Sequence, residues 1–190
     1  MLVKFAVIAG SASKDLGKRI ARRLKAPYIE AKTRIFPDGE SKITFGCIPK
    51  NSTVLVVQST YPPVDTNLLQ ALSIISQARK ASSKIYAIIP YMGYARQDKQ
   101  FLSGEVITMS IVARMLQAAG AKKIVAVDIH SKTALNHFKI PKENVSAIPE
   151  LAKYFKKMKL KNALVVSPDM GGSLRAVSYT HLTLPTNREV

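Results

Sequence analysis

Short runs rich in Val, Ile and Leu alternate with amphipathic stretches along most of the chain. Five of these runs are predicted to be β-strands: 3–9, 53–59, 84–90, 123–129 and 162–168. They are continuous rather than strictly alternating, which is typical of parallel strands buried on both faces. Residues 28–48, which contain the turn "FPDGE", interrupt the alternation and are predicted to form a hairpin or flap.

Four amphipathic stretches between these runs are predicted to be helices: 14–25, 66–80, 104–119 and 149–157. The residues expected to face the core are Leu16, Ile20 and Leu24 in the first helix and Leu68, Leu69, Leu72 and Ile75 in the second. Asp65 is a candidate N-cap of the second helix, Ser103 precedes the third, and Gly120 is a natural residue to end it. The alternation of strands and helices predicts a doubly wound, mostly parallel α/β sheet.

The charge balance changes this picture more than the overall composition does. The 190 residues contain 29 Lys and Arg against 12 Asp and Glu, which gives a net charge of +17. This favours polyanionic partners, either phosphorylated small molecules or nucleic acid. The alternative, for a single basic run such as 156–161, is a solvated surface.

The one cysteine and the length of the apolar runs bound the cellular context. Cys47 allows neither an internal disulfide nor a zinc cluster, which suits a reducing cytoplasm, and it is expected to be a small core residue. No apolar run reaches the length that spans a membrane. We therefore expect a cytoplasmic protein with no membrane partner.

Polar residues follow two of the predicted strands, where open α/β sheets bind their ligands. Asp128 and His130 are two apart, so on a strand their side chains would share a face and could hold a divalent metal. A hydrogen-bonded structural pair is the alternative. In "SPDMGG", Asp169 is followed by Gly171 and Gly172, which would let a phosphate approach the backbone, although an ordinary strand-to-helix turn fits equally well.

Two further segments carry candidate binding groups. In "YARQDK", Arg96 and Lys99 supply positive charge, Gln97 an amide and Asp98 an acceptor, and arginine can donate two hydrogen bonds to a phosphate; a polar exposed loop is the alternative. In "FPDGE", Asp38 and Glu40 could accept hydrogen bonds from a base, but Pro-Asp-Gly is also a plain turn signal.

The four segments, in this order, resemble ribose-phosphate pyrophosphokinase (phosphoribosyl pyrophosphate synthetase). The matching motifs are "FPDGE", "DTNLLQAL", "PYMGYARQDK" with the following "SGE", "VDIHS" and "VVSPDMGG". The resemblance runs from about residue 1 to 176 and is strongest to the shorter, archaeal-type members. It implies a phosphoribosyltransferase-like fold and the conversion of ATP and ribose 5-phosphate into phosphoribosyl pyrophosphate and AMP, with Mg²⁺ as cofactor.

The resemblance also implies roles for individual residues and an assembly. The implied ATP-binding residues are Phe36, Asp38, Gly39 and Glu40, in a loop that reaches adenine from a neighbouring subunit, together with Arg96, Gln97 and Lys99. The implied metal ligands are His130, Asp128 and Asp169, and the implied ribose 5-phosphate side consists of Asp169, Gly171 and Gly172. A homo-oligomer is therefore expected, and no nucleic-acid partner.

The end of the sequence departs from the family pattern. Family members carry a second domain with a basic loop, which holds a catalytic lysine and arginine, and an acidic loop followed by a Thr/Gly-rich cradle; neither loop occurs here. We expect an ATP-side domain at 1–148, the start of a largely missing second domain at 149–176, and a non-native tail at 177–190 that resembles translated adapter DNA. The alternative is a genuine terminus with an edge strand at 182–184.

These departures predict an incomplete chain without synthetase activity. Two other functions remain open. One is a non-catalytic, oligomerising relative of the synthetases, which would keep the fold and the ATP residues. The other is a basic nucleic-acid-binding protein, although the aromatic content of 7% and the lack of an RNA-binding signature disfavour it.

Overall fold

Strands and helices alternate in the computed structural model, which describes residues 4–160, 164–167, 177 and 180. The strands are β1 (Phe5–Ala9), β2 (Tyr28–Glu30), β3 (Lys32–Ile35), β4 (Ser41–Thr44), β5 (Thr53–Val57), β6 (Ile85–Ile89), β7 (Lys123–Val127) and β8 (Lys142–Val145). The helices are α1 (Lys14–Leu24), α2 (Val64–Arg79), α3 (Thr108–Ala119), α4 (Lys132–Asn136) and α5 (Ile148–Lys157). Contacts divide the chain into two compact units, 1–145 and 146–190, and the predicted boundary at 148/149 stays a prediction.

Six strands form one parallel sheet in the order β2-β1-β5-β6-β7-β8. The jump from β1 to β5 and the return from β1 to β2 place the chain on both sides of the starting strand, which is the doubly wound arrangement. The predicted α/β fold with a mostly parallel sheet is confirmed. The predicted strands 3–9, 53–59, 84–90 and 123–129 correspond to β1, β5, β6 and β7, each with shorter ends.

The sheet is buried on both faces, because alternate residues of its strands belong to two different cores. Ile8 and Val56 join the larger core, together with α2, α3 and α4. Val7 and Val57, their neighbours in sequence, join a second core with Ala21 of α1. Side chains alternate along a strand, so a continuous apolar run is required here, and that is the pattern in the sequence.

Helix α1 packs on the sheet through small residues and not through its leucines. Gly17 and Ala21 are buried, whereas Leu16 and Leu24 are 38% and 42% exposed and Ile20 is half-buried. The helix lies so close to β1 that a Cβ on Gly17 would be 2.4 Å from the Cβ of Ala9. The prediction is wrong for Leu16 and Leu24, because the close approach selects the small residues, whereas Ile20 packs against the second core as predicted.

Helix α2 begins at Val64, one residue before its predicted N-cap Asp65. Pro63 precedes its first residue, so Asp65 lies within the first turn and caps nothing. Leu68 and Ile75 are buried and Leu72 is half-buried, as predicted. Leu69 is 59% exposed, which contradicts the prediction for that residue.

Helix α3 starts at Thr108 and not at residue 104. The Glu105 carboxylate accepts hydrogen bonds from the backbone N–H groups of Phe101 and Leu102, at 2.8 and 3.0 Å. These bonds hold residues 101–105 in a turn, because a side chain that binds nearby backbone competes with the helix. The helix ends as predicted at Gly120, whose φ is +124°.

Three elements have little apolar signal and were not predicted. Strand β2 pairs with β1 inside the main sheet, although its residues belong to the segment predicted as a flap. Strand β8 has the sequence "KENV" and only exposed residues, so its backbone pairing with β7 defines it. Helix α4 is short and is capped by Ser131. Edge strands and short helices bury too little surface to leave a clear hydrophobic period.

The predicted hairpin is present at β3 and β4, which pair antiparallel as a separate two-stranded sheet. It is attached to the main unit by Ile43 and Phe45, which pack against the larger core. The Gln70 side chain of α2 also donates a hydrogen bond of 3.1 Å to the Ser41 hydroxyl. Cys47, just after this hairpin, is exposed, so the expectation that it fills the core is wrong.

The second unit contains α5, which confirms the helix predicted at 149–157. Residues 164–167 have no strand structure, and Leu164 and Val166 are 89% and 81% exposed. The strand predicted at 162–168 is therefore not formed in these four residues, and its other residues lie outside the described ones. In the described parts of the chain, no helix combines the length and the apolar character needed to cross a membrane.

We expect Gly17→Ala to lower the free energy of unfolding by about 1–3 kcal/mol, the usual cost of overpacking a core. Alanine has the higher helix propensity, by about 1 kcal/mol, so propensity alone predicts the opposite sign. The added methyl group meets Ala9, which is fixed on a central strand and cannot swing away. Urea denaturation followed by circular dichroism measures the difference.

The matched control is Gly46→Ala. A Cβ at Gly46 meets no atom within 4 Å, so this variant should unfold within about 0.5 kcal/mol of the parent. A Gly17→Ala protein that is as stable as the control would contradict the close packing of α1 on β1.

Candidate functional site

The loops that follow β5, β6 and β7 leave the sheet at one edge, because these strands are parallel neighbours. The loop after β6 contains Arg96, Gln97 and Lys99, and the loop after β7 contains Asp128 and His130. Two of the four predicted segments are thus side by side at the carboxyl edge. The predicted groups Asp169, Gly171 and Gly172 lie outside the described residues.

The base of the loop after β6 is attached to the loop that follows β5. The Thr60 hydroxyl accepts a hydrogen bond of 2.7 Å from the Gly93 N–H and donates one to the Tyr91 carbonyl. Tyr94, whose φ is +61°, donates its hydroxyl hydrogen to the Asp65 carboxylate. This hydrogen bond, together with burial, raises the pKa of the Tyr94 hydroxyl above its usual value. The strained turn at Tyr94 therefore has a fixed support.

The three predicted residues of this loop line one cavity of about 210 Å³. Its other lining residues are Phe101, Glu105 and Val106. The Lys99 ammonium is 4.9 Å from the centroid of the Phe101 ring, a distance typical of a cation–π contact. The lining thus includes two cationic side chains and one carboxylate, so the net charge of the cavity favours an anionic ligand.

Gln97 is held in place at the start of α3. Its side-chain oxygen accepts a hydrogen bond of 2.6 Å from the Thr108 hydroxyl, and its backbone carbonyl accepts one of 3.1 Å from the Met109 N–H. The bond from Thr108 fixes the orientation of the amide, and the NH₂ group can donate hydrogen bonds to a ligand. This orientation suits acceptor atoms such as phosphate oxygens.

Glu105, which lines the cavity, stabilises the turn at 101–105. Hydrogen bonds from the Leu102 and Phe101 backbone N–H groups lower the pKa of its carboxyl below the usual value. The sequence motif "SGE" contained this residue, but its role could not be read from the motif. The signal was a carboxylate three and four residues after two backbone donors in a turn.

Asp128 and His130 do not both lie on β7, which ends at Val127. Asp128 has a φ of +41°, in the left-handed region, so strand alternation does not set the directions of the two side chains, and the prediction on this point is wrong. The segment is fixed through its backbone, because the Asp128 N–H donates to the Val145 carbonyl at 2.9 Å and the Ile129 N–H to the Asn144 side chain at 3.0 Å. Both bonds tie it to β8.

The donor set of this segment is sparse. In the described part of the chain, no group of three or more His, Cys, Asp or Glu side chains is arranged to hold a metal ion. Mg²⁺ commonly takes only one or two protein ligands and completes its octahedron with substrate phosphates and water. Asp128 and His130, the latter exposed, fit a metal that arrives with a phosphorylated ligand rather than a preformed metal site.

Asp98 joins the two loops. Its side chain is only 5% exposed, although it lies between the exposed residues Gln97 and Lys99. The Ser131 hydroxyl donates a hydrogen bond to its carboxylate. Sequence reasoning treated Asp98 as an acceptor in an exposed loop and gave Ser131 no role, because neither residue type reveals burial.

The hairpin tip at 36–40 is a tight turn that presents its polar groups to solvent. The Phe36 N–H donates to the Glu40 carbonyl at 2.8 Å, and Gly39 has a φ of +90°, which favours glycine. Asp38 and Glu40 are exposed, and the Arg34 guanidinium is 5.3 Å from the centroid of the Phe36 ring. None of these residues lines the cavity at Arg96, so the chain does not itself bring the two predicted ATP-binding groups into one pocket.

A second cavity, of about 580 Å³, lies at the start of α1 and was not predicted. Its lining includes Ser11, Lys14, Lys18 and Ser59. Lys14 is paired with Glu30 at 2.8 Å, which raises the pKa of the lysine and lowers that of the glutamate. A strand followed by Gly, Ser and Lys residues was the available signal.

Comparison with known proteins gives the family. The model for the N-terminal domain of ribose phosphate pyrophosphokinase matches residues 5–120, which is more than half of the chain. The chain belongs to the ribose-phosphate pyrophosphokinase family. The matched range includes the hairpin, the loop after β6 and the cavity at Arg96.

Individual family members are similar over almost the whole chain. The ribose-phosphate pyrophosphokinase of Methanobrevibacter smithii is 40% identical over 167 residues, which are 87% of this chain and 55% of that protein. The Haemophilus influenzae protein of the same name is 36% identical over 187 residues, 97% of this chain and 59% of that protein. The chain thus spans a little over half the length of these ribose-phosphate pyrophosphokinases.

A solved structure supports the same assignment. The phosphoribosylpyrophosphate synthetase from Mycobacterium smegmatis superposes with a TM-score of 0.84 at 30% sequence identity. The match covers 94% of this chain and 60% of that one. The parallel sheet described above is therefore the fold of the ribose-phosphate pyrophosphokinase family.

The Glu105 carboxyl should titrate below the usual value of 4.5. Because its folded pKa is depressed, the turn at 101–105 should be fully stabilised above the unfolded pKa and lose that support as the pH falls through the folded pKa. Amide hydrogen exchange of Phe101 and Leu102, followed from pH 6 downward to about 3, should show protection decreasing in that window. Glu105→Gln should remove the pH dependence, and protection that stays constant in the parent would contradict the assignment.

Proposed function

We propose that this chain forms the ATP side of an enzyme that makes 5-phosphoribosyl 1-diphosphate and AMP from ATP and ribose 5-phosphate. The observation that carries the proposal is the convergence of Arg96, Gln97 and Lys99 on one cavity at the carboxyl edge of the sheet. The membership of the chain in the ribose-phosphate pyrophosphokinase family supports the reaction.

The side chains in this cavity suit a nucleotide polyphosphate. The Arg96 guanidinium is planar and can donate two hydrogen bonds to one phosphate, while Lys99 adds a compact positive charge. Gln97 can donate hydrogen bonds through its NH₂ group, while its oxygen accepts one from Thr108. Together these donors would orient the phosphates without becoming covalently involved.

The adenine would be recognised by Phe36, Asp38, Gly39 and Glu40 of another copy of the chain. The family resemblance implies this role, and it is supported by the hairpin tip, which exposes its acceptors and does not line the cavity of its own chain. Carboxylate oxygens accept hydrogen bonds from an exocyclic amino group, and the Phe36 ring offers a stacking face. ATP binding is then linked to formation of a homo-oligomer.

His130 and Asp128 would hold the Mg²⁺ that accompanies ATP, and Asp169 would bind a second metal ion. When bound, Mg²⁺ neutralises negative charge on the phosphate oxygens. Asp169, Gly171 and Gly172 would lie on the ribose 5-phosphate side.

In the reaction, the anomeric hydroxyl oxygen of ribose 5-phosphate attacks the β-phosphorus of ATP. The bond from that phosphorus to the oxygen bridging it to the α-phosphate breaks, AMP leaves with this oxygen, and the hydroxyl proton is released. Phosphoryl transfer of this kind depends on positioning and charge stabilisation more than on covalent catalysis. Arg96, Gln97 and Lys99 would supply the positioning on the ATP side. The substrates are soluble phosphorylated metabolites, so we propose a cytoplasmic location.

Arg96→Ala should weaken ATP binding by about 1–3 kcal/mol, the range for hydrogen bonds to charged groups. Isothermal titration calorimetry with ATP, at a fixed salt concentration, measures the effect. Arg96→Lys should recover only part of the loss, because lysine keeps the charge but cannot donate the paired hydrogen bonds.

The control for loss of a positive charge is Arg114→Ala. Arg114 is exposed on α3 and does not line the cavity, so its removal should leave the ATP affinity within about twofold of the parent. Equal affinities for the Arg96→Ala and Arg114→Ala proteins would refute the placement of ATP in this cavity.

Mg²⁺ should raise the ATP affinity of the parent chain, and His130→Ala should abolish this enhancement. The reason is that phosphates and protein ligands complete one coordination sphere together. ATP titrations in EDTA and in excess Mg²⁺ give the enhancement as a ratio of dissociation constants. Asn136→Ala, a nearby exposed change on α4, should keep the parent ratio; if His130→Ala keeps it too, the imidazole is no metal ligand.

A further inference from the structure

A buried carboxylate lies between the two loops of the proposed nucleotide site. Asp98 is 5% exposed, whereas its sequence neighbours Gln97 and Lys99 are exposed and line the cavity. A charged group is rarely buried unless hydrogen bonds compensate the lost hydration. The hydrogen-bond partners of Asp98 therefore indicate its role.

The partner of the Asp98 side chain is the residue that follows His130. The Ser131 hydroxyl donates to the Asp98 carboxylate and at the same time accepts a hydrogen bond of 3.2 Å from the Ala134 N–H, which caps α4. One hydroxyl thus connects the loop after β6 to the first turn of α4. The hydroxyl can do both because it has one donor hydrogen and free acceptor lone pairs.

A second contact fixes the same two elements. The His137 Nε2–H donates to the Asp98 backbone carbonyl at 2.7 Å, just after the end of α4. Asp98 is thus bound by the residues at both ends of α4: Ser131 binds its side chain and His137 binds its backbone carbonyl. This pair of contacts leaves little freedom for the loop after β6 to move relative to the segment that carries His130.

We propose that Asp98 and Ser131 are positioning residues that couple the phosphate-binding residues of the loop after β6 to His130. The inference rests on the proposed function. Gln97 and Lys99 are the sequence neighbours of Asp98, and His130 is the sequence neighbour of Ser131. The hydrogen bond from Ser131 to Asp98 therefore connects the phosphate-binding residues to His130. The coupling makes a metal held at His130 strengthen the binding of phosphates at Arg96.

The measured quantity is the Mg²⁺ enhancement of ATP binding, the ratio of the ATP dissociation constants in EDTA and in Mg²⁺. Ser131→Ala should lower this ratio by about tenfold, the effect of losing one hydrogen bond to a charged group, while the value in EDTA stays within about twofold. Asp98→Ala should have the same effect and keeps the Ser131 cap of α4. Ser131→Thr, which restores the hydroxyl, should recover the parent ratio.

A purely structural role predicts a different result. If the contact only stabilises the fold, Ser131→Ala should weaken ATP binding equally in EDTA and in Mg²⁺, and the ratio would be unchanged; that outcome overturns the inference. Thr133→Ala, an exposed change on α4 with no part in the contact, is the matched control and should keep both constants. Should Asp98→Ala fail to fold, the Ser131 variants decide the question alone.

The same experiment separates this inference from the proposed function. If the parent binds no ATP in either condition, the proposed function is wrong and the coupling has nothing to act on. If the parent shows the Mg²⁺ enhancement and Ser131→Ala keeps it, only the inference is wrong. Amide hydrogen exchange provides a ligand-free measurement, because Ser131→Ala should accelerate exchange in residues 95–99, and unchanged exchange there would also overturn the coupling.

Discussion

The parallel pairing of β5, β6 and β7 is the constraint on which the candidate site depends. Val57 is paired with Ile88, and Ile88 with Val125. The carboxyl ends of the three strands are therefore aligned, and the loops that follow them start at adjacent points. Burial on both faces keeps this register, because a slip by one residue would exchange the side chains of the two cores. Val56 and Val57 show this directly, since one belongs to each core. The position of the loop with Arg96 beside the loop with His130 is a consequence of that packing.

The loops themselves are held by polar contacts in addition to apolar burial, since Met92, Ala95 and Ile129 belong to the larger core. Thr60 and Asp65 support the base of the loop after β6, Thr108 and the start of α3 hold Gln97, and Ser131 binds Asp98. Such side chain to backbone and side chain to side chain bonds are directional, so they define positions more sharply than apolar contacts do. Arg96 and Lys99 line the cavity, so its charge, like the net charge of +17 of the chain, suits an anionic ligand.

Several features of the fold could be predicted because they leave a periodic trace. Four predicted strands and four predicted helices are present, since strands buried on two faces need continuous apolar runs and helices on a sheet need one apolar stripe. The predictions are wrong where another physical effect outweighs the hydrophobic periodicity. Gly17 replaces the leucines at the contact of α1 with the sheet because the approach is too close for large side chains, and Glu105 delays α3 because its carboxylate binds the preceding turn. Strand β8 has only exposed residues, and it is held by backbone pairing with β7 and by polar side-chain contacts of Glu143 and Asn144.

By itself, the sequence determined the α/β class, the order of most elements, the family resemblance and the identity of the residues with suitable chemistry, because these depend on residue type and spacing. Only the tertiary structure decided which of those residues meet. Arg96, Gln97 and Lys99 share a cavity, the hairpin tip with Asp38 and Glu40 does not join them, and Asp128 leaves the strand that should have aligned it with His130. The burial of Asp98 against Ser131 was equally invisible. Contacts between residues 33 positions apart depend on how the strands pair and the helices pack, and no local pattern of residue types records that.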